Sequence, residues 1–156
     1  MTPESLDDLY RDQVILDHCR HPRNSGSVDL PDFSCSAVNP FCGDEVHFQL
    51  KVGNNARISE VGFKGEGCAI NQASGSLLSE AIHGLTVSEA LELSCDFSLM
   101  MEKKTCIDLG GGGRNIAEMG ELAALYRVRE FPIRVKCALL AWTALDNGIR
   151  DYLNNR

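Results

Sequence analysis

Five residues, Pro40-Phe41-Cys42-Gly43-Asp44, stand between two stretches in which apolar and polar residues alternate. A chain that alternates, turns tightly and alternates again is constrained to an antiparallel hairpin with its apolar side chains on one face. Gly43 allows the bend where a Cβ would clash. The upstream run, Phe33 to Val38, alternates weakly. The downstream run is clear: Val46, Phe48, Leu50 and Val52 alternate with His47, Gln49 and Lys51, the pattern of a half-buried strand. Gly53-Asn54-Asn55 signals a second hairpin, and Ile58, Val61 and Phe63 carry a third strand. The first turn also sets a thiol, Cys42, one residue from a carboxylate, Asp44. These are two corners of a tetrahedral metal site, or a hairpin turn with an incidental buried cysteine.

Outside these strands the period becomes helical. Leu6, Leu9, Tyr10, Val14 and Leu16 predict an amphipathic helix over Ser5 to Cys19, stopped by Pro22. His18, Cys19 and His21 are ligand-type residues, but with no second cluster they read as capping or core residues. Gly65-Glu66-Gly67-Cys68 lacks the third glycine and the Gly-Lys-Ser/Thr of a nucleotide site. Instead, Cys68 falls at the first turn of a helix through Ala69, Ala73, Leu77, Leu78 and Ile82, where the partial positive charge favours an anionic sulfur. Thr86-Val87-Ser88-Glu89 is a capping box opening a short helix. Cys35 reads as a strand residue, and Cys95 and Cys106 as non-ligand thiols. Gly110 to Gly113 reads as a loop, and Glu118 to Tyr126 as a short helix. Pro132 opens a long apolar helix through Val135, Ala138, Trp142, Leu145 and Ile149. Cys137 lies in its first turns, and Arg127, Arg129, Arg134 and Lys136 form a basic patch around that helix start.

Composition narrows the function classes. At 156 residues, 44% hydrophobic and 24% charged, the chain is expected to form one globular domain. A net charge of −7 argues against nucleic acid or an anionic membrane surface as the main partner. No apolar run reaches the length of a membrane span. Glu4, Asp7 and Asp8 near the start do not make a signal peptide, so a cytoplasmic, reducing location is expected. There, seven cysteines point to metal or thiol chemistry before disulfides.

Cys42, Cys68 and Cys137 each fall at a turn or near a helix start, and Asp44 would complete a tetrahedral Cys3Asp set. At these residues the chain resembles the U-type iron–sulfur assembly proteins, the NifU/IscU/SufU family. The resemblance is carried by Leu9-Tyr10, Asp17-His18, Pro22-Arg23-Asn24 with Gly26, Asn39-Pro40 with Cys42-Gly43-Asp44, Phe63 to Ser74, and Phe131 to Trp142. Lys136 stands where scaffold-type members are expected to have histidine, and the Cys68–Cys137 interval is long. Both features place the chain nearer the SufU branch. Asn71 departs from the more usual serine.

The resemblance implies an α+β fold: a three-stranded antiparallel meander packed against several helices, with a metal site at one end. It implies a single domain over 1–156 with a branch-specific insertion near 100–130. It implies Zn2+ held by Cys42, Asp44, Cys68 and Cys137, with iron or a [2Fe–2S] cluster as the alternative occupant. The implied activity is that of a zinc-dependent sulfurtransferase whose Cys42 takes persulfide sulfur from a PLP-dependent, SufS-like cysteine desulfurase. The alternative is a scaffold on which a transient [2Fe–2S] cluster is assembled. Downstream iron–sulfur assembly proteins are further implied partners. His21, Arg23, Arg134 and Lys136 are assigned to the partner-facing surface.

Overall fold

The computed structural model describes residues 9, 11–102 and 116–155. Three strands, β1 (Phe33–Asn39), β2 (Asp44–Val52) and β3 (Ile58–Glu66), form one antiparallel sheet in the order β1-β2-β3. The first turn closes on the pair Asn39↔Asp44. Asn39 holds it together: its carbonyl accepts from Gly43 N (2.8 Å) and its side chain from Phe41 N (3.1 Å). Gly43 sits at φ +75°, so the glycine read from the sequence meets a real backbone demand. The second hairpin turns through Asn54–Ala56, with Asn55 at φ 60°. In β2, Asp44, Val46, Phe48 and Leu50 are buried, while His47 faces out and bonds Ser36 Oγ (2.9 Å).

Four helices follow the expected positions with corrected bounds: α1 (Gln13–Arg20), α2 (Ala69–Ile82), α3 (Val87–Glu102) and α4 (Pro132–Asn154). The expected first helix does not run unbroken from Ser5 to Cys19. Asp12 interrupts it, accepting from Val14 N (2.9 Å) and Ile15 N (3.3 Å) as the cap of α1, because its short carboxylate satisfies free N–H groups better as a cap than within a helix. The third helix is not short: with 16 residues it buries Ala90, Leu93 and Phe97. The helix expected over Glu118 to Tyr126 is instead part of an irregular 3-10 run, Ile116–Glu130, broken at Gly120 (φ 59°, ψ −134°). The Gly110–Gly113 stretch lies outside the described residues.

α2 is the centre of the packing. Ala73, Ser74, Gly75, Ser76 and Ser79 are buried along with Ile70, Leu77, Leu78 and Ile82. Its small residues let neighbours approach closely; a side chain at Gly75 would collide with the Phe63 ring. Ser74 Oγ donates to Ala138 O (2.6 Å) and accepts from Trp142 Nε1 (3.0 Å). Trp142 in turn stacks on Phe97, centroids 4.2 Å apart, so α2, α3 and α4 are locked together.

The capping box forms as read: Glu89 N donates to Thr86 Oγ1 (3.1 Å) and Thr86 N to Glu89 Oε1 (2.9 Å). Thr86→Ala is expected to cost about 1 kcal/mol. For a chain of this size that lowers Tm by about 2–4 °C, and a melting curve that does not move would show the box contributes nothing.

Candidate metal centre

Three separate segments converge at the end of the sheet. Cys42 is exposed on the β1–β2 turn, while Asp44, the first residue of β2, is only 1% exposed. Cys68 is the N-cap of α2 and half-buried, and Cys137 is buried in the second turn of α4. A ligand atom from each of Cys42, Asp44 and Cys137 lies within 4.8 Å of the other two. Cys68 joins through the carboxylate: its N–H donates to Asp44 Oδ1 (2.9 Å) and its Sγ lies 3.7 Å from Asp44 Oδ2. A carboxylate on a helix N-terminus is favoured by the dipole and satisfies a free N–H.

Neighbouring groups fix this geometry. Gly67, at φ +121°, passes so close to Asp44 that a Cβ there would overlap its carboxylate. Asn71 Nδ2 donates to Glu45 O (3.2 Å) and Glu66 O (2.9 Å). The first turn of α2 is thereby pinned to the ends of β2 and β3. Arg134 Nη1 stands 4.0 Å from Cys137 Sγ.

The electrostatics are those of a site short of positive charge. Burial pushes the Asp44 carboxyl up, but the Cys68 N–H and the thiols of Cys137, Cys42 and Cys68 outweigh it and bring it below the usual range. Burial pushes the Cys137 thiol well up, assisted by Asp44 and Cys68 and opposed by Arg134. A buried thiol such as Cys137 does not readily ionise beside a carboxylate unless a cation replaces its proton. Two sulfurs and a carboxylate oxygen lie within 4.8 Å of one another, the Cys68 sulfur stands beside that same carboxylate without joining the mutual cluster, and this donor set suits a zinc or iron ion.

The other assigned residues are distributed as follows. Lys136 is exposed beside the site and, with Phe41, Ile133 and Arg134, lines a cleft of about 400 Å³ against Cys42 and Cys137. His21 and Arg23 are not brought there. His21 caps α1, and Arg23 is paired with Asp17 and bonded to Ser76, eight residues along α2 from Cys68, or about 12 Å. The basic patch is largely consumed locally: Arg127 reaches Asp12 (3.9 Å) and Arg129 stacks over Tyr126 (4.4 Å). Cys35, half-buried and packed against Gly148, has its thiol pushed up to about 12 by burial, which disfavours the reactive thiolate. Cys95, expected as a non-ligand thiol, is disulfide-bonded instead. Sequence reasoning missed Phe41 (94% exposed) and Ile133 (83% exposed). The available signal was an aromatic at a turn tip with no strand position to bury it.

Residues 9–138 match the family described as the NifU-like N-terminal domain, and the chain belongs to that family, the iron–sulfur cluster assembly proteins of SufU and IscU type. It is 39% identical over 145 residues to the zinc-dependent sulfurtransferase SufU of Bacillus subtilis, covering 93% of this chain and 92% of that protein. It is 35% identical over 156 residues to the iron–sulfur cluster assembly scaffold protein IscU of Streptococcus pyogenes, covering 99% and 91%. The crystal structure of FiSufU from Fervidobacterium islandicum AW-1 superposes with a TM-score of 0.76 at 29% identity, covering 93% and 99% of the two chains. A nitrogen-fixing NifU-like protein from Brucella abortus shares the fold, with a TM-score of 0.77 at 23% identity and coverage of 97% and 100%. No helix among the described residues is long and apolar enough to cross a membrane.

Proposed function

We propose that this chain is a zinc-bound sulfur acceptor of iron–sulfur cluster biogenesis, working with a PLP-dependent, SufS-like cysteine desulfurase. Cys42, Asp44, Cys68 and Cys137 would hold the zinc. When bound, zinc supplies the positive charge that keeps three thiols deprotonated side by side. The observation that carries the reading is the asymmetry of the four donors. Asp44 and Cys137 are buried and Cys68 is half-buried, whereas Cys42 alone is exposed, on the turn between two strands. It is the donor free to meet a partner's sulfur.

Cys42 thiolate attacks the outer sulfur of the desulfurase persulfide. A new S–S bond forms on Cys42, the partner's S–S bond breaks, and the partner's cysteine leaves as thiolate, with no net oxidation. Phe41 and Ile133 flank Cys42 as an apolar collar that would exclude water on docking. Arg134 and Lys136 stand behind it as positive charge for the developing thiolates, and His21 with Arg23 would form a separate contact along α2. The name of the Bacillus subtilis relative supports this reading.

A second reading, a scaffold for a transient [2Fe–2S] cluster, draws on the IscU relatives and on the suitability of thiolates for iron. Metal content and desulfurase stimulation of the same preparation separate them. The expected result is one zinc per chain, no visible absorption, and stimulation that disappears on chelation and returns with zinc. A chromophore with iron and no zinc would favour the scaffold and overturn the zinc assignment.

A further inference from the structure

A second cluster of ligand-type groups lies where α1, α2 and the 116–130 segment meet. His18 is fully buried, yet its Nε2 has no hydrogen-bond partner. On the other side of the ring, Nδ1 lies 2.8 Å from Ser76 Oγ, which also accepts from Arg23 N (2.8 Å). Nε2 faces Glu80 Oε1 at 3.5 Å and Glu121 Oε2 at 3.9 Å. One atom from each of the three residues lies within 4.8 Å of the others.

Consider the tautomer in which Nδ1–H donates to Ser76. Nε2 then turns a lone pair toward two carboxylates and, buried as it is, finds no donor among the described groups. A buried acceptor in that position costs free energy unless something positive sits between the groups. A proton on the imidazole is one answer. Burial of His18, with Arg23 nearby, works against it, while Glu80, Glu121 and Asp17 favour it, and the balance lies toward the neutral ring. The neutral tautomer with Nε2–H turned toward Glu80 and Ser76 Oγ–H donating to Nδ1 is a second; a cation is a third, and neutral imidazole is its proper ligand.

We propose that His18, Glu80 and Glu121 form a second cation site, for a divalent first-row ion of the Mn2+ or Fe2+ type. One imidazole nitrogen and two carboxylates, with no sulfur, make a harder donor set than the cysteine cluster. The carboxylate ends are 45% and 61% exposed, so small rotations would bring them onto an ion, while Ser76 holds the imidazole from behind as ligating histidines require. The site is distinct from the cysteine cluster: Glu80 lies twelve residues along α2 from Cys68, about 18 Å. It does not depend on the sulfur-acceptor reading.

The test uses the full chain with the cysteine site first saturated with one equivalent of zinc. Mn2+ is then titrated while the free ion is followed by electron paramagnetic resonance and the histidine ring signals by NMR. The expected result is saturable binding of one Mn2+ per chain with selective broadening of the His18 ring signals. Glu80→Gln with Glu121→Gln, two exposed and isosteric changes, should weaken that binding by about a hundredfold while zinc content stays at one. Absence of saturable Mn2+ binding, binding that survives the double substitution, or His18 signals that stay sharp would each overturn the proposal. A Cys42→Ser protein that keeps its Mn2+ site while losing sulfur acceptance shows that the two readings stand or fall separately.

Discussion

Cys42→Ala is expected to return desulfurase turnover to the level of the desulfurase alone. The loss is complete rather than graded because no neighbouring group can replace the nucleophile. Cys137 is buried behind Arg134, and Cys68 is tied to Asp44 through both its N–H and its sulfur. The fold should survive. The turn is held by Asn39 through Gly43 N and Phe41 N, and the Cys42 side chain fills no part of the core. What is lost besides the acceptor is one of four proposed ligands, so metal should be held more weakly by about tenfold or more. Cys35→Ala is the control: that thiol is half-buried on β1 and pushed up to about 12 by burial, and stimulation should be unchanged. Stimulation that persists in Cys42→Ala would place the accepting atom elsewhere and remove the basis of the sulfur-acceptor reading.

The parts of this fold that depend on short-range period were legible in the sequence. The alternation of Val46, Phe48 and Leu50, the Thr86–Glu89 box and Pro132 at the head of α4 each reflect a local preference that tertiary packing did not overrule. The errors arose where a local period continued past a side chain with another use. Leu6, Leu9 and Val14 keep one helical phase across Asp12, yet that carboxylate caps a new helix. Leu122 and Leu125 are buried as a helix would place them, but Gly120 at positive φ breaks the run into 3-10 turns.

At the candidate metal centre, the cysteines and Asp44 could be singled out because cysteines at turns and helix starts are few and chemically distinctive, and the fold brings Cys42, Asp44 and Cys137 within 4.8 Å of one another. Their supports could not be singled out. Nothing in the spacing of Asn71 announces that its amide spans the carbonyls of Glu45 and Glu66. His18 looked like a core histidine because its carboxylate neighbours come from Glu80 and Glu121, 62 and 103 residues away in the sequence. Only packing brings such groups together.

Gly67→Ala should remove metal binding almost as effectively as deleting a ligand, although Gly67 offers no ligand atom. Its φ of +121° lies outside the conformations open to a residue with a side chain, a strain of about 1–3 kcal/mol. The new methyl would also fall on Asp44 Oδ1, with Asp44 Cγ at 2.7 Å and Cα at 2.9 Å. Rotation of the carboxylate alone gives no escape, because the methyl also presses on the Asp44 backbone at the start of β2. Either that strand end shifts or the bond from Cys68 N to Asp44 breaks, and in both cases the carboxylate leaves the three sulfurs. Zinc affinity, measured by competition with a chromogenic chelator, should fall by about a hundredfold, with desulfurase stimulation lost in parallel. Gly43→Ala provides the contrast. Gly43 also has positive φ, at +75°, but a Cβ there meets nothing within 4 Å. That variant should lose about 1 kcal/mol of stability and keep its metal. Equal zinc affinity in Gly67→Ala and the wild-type chain would mean that Asp44 does not hold the ion, because the substitution leaves that carboxylate no room where it now stands.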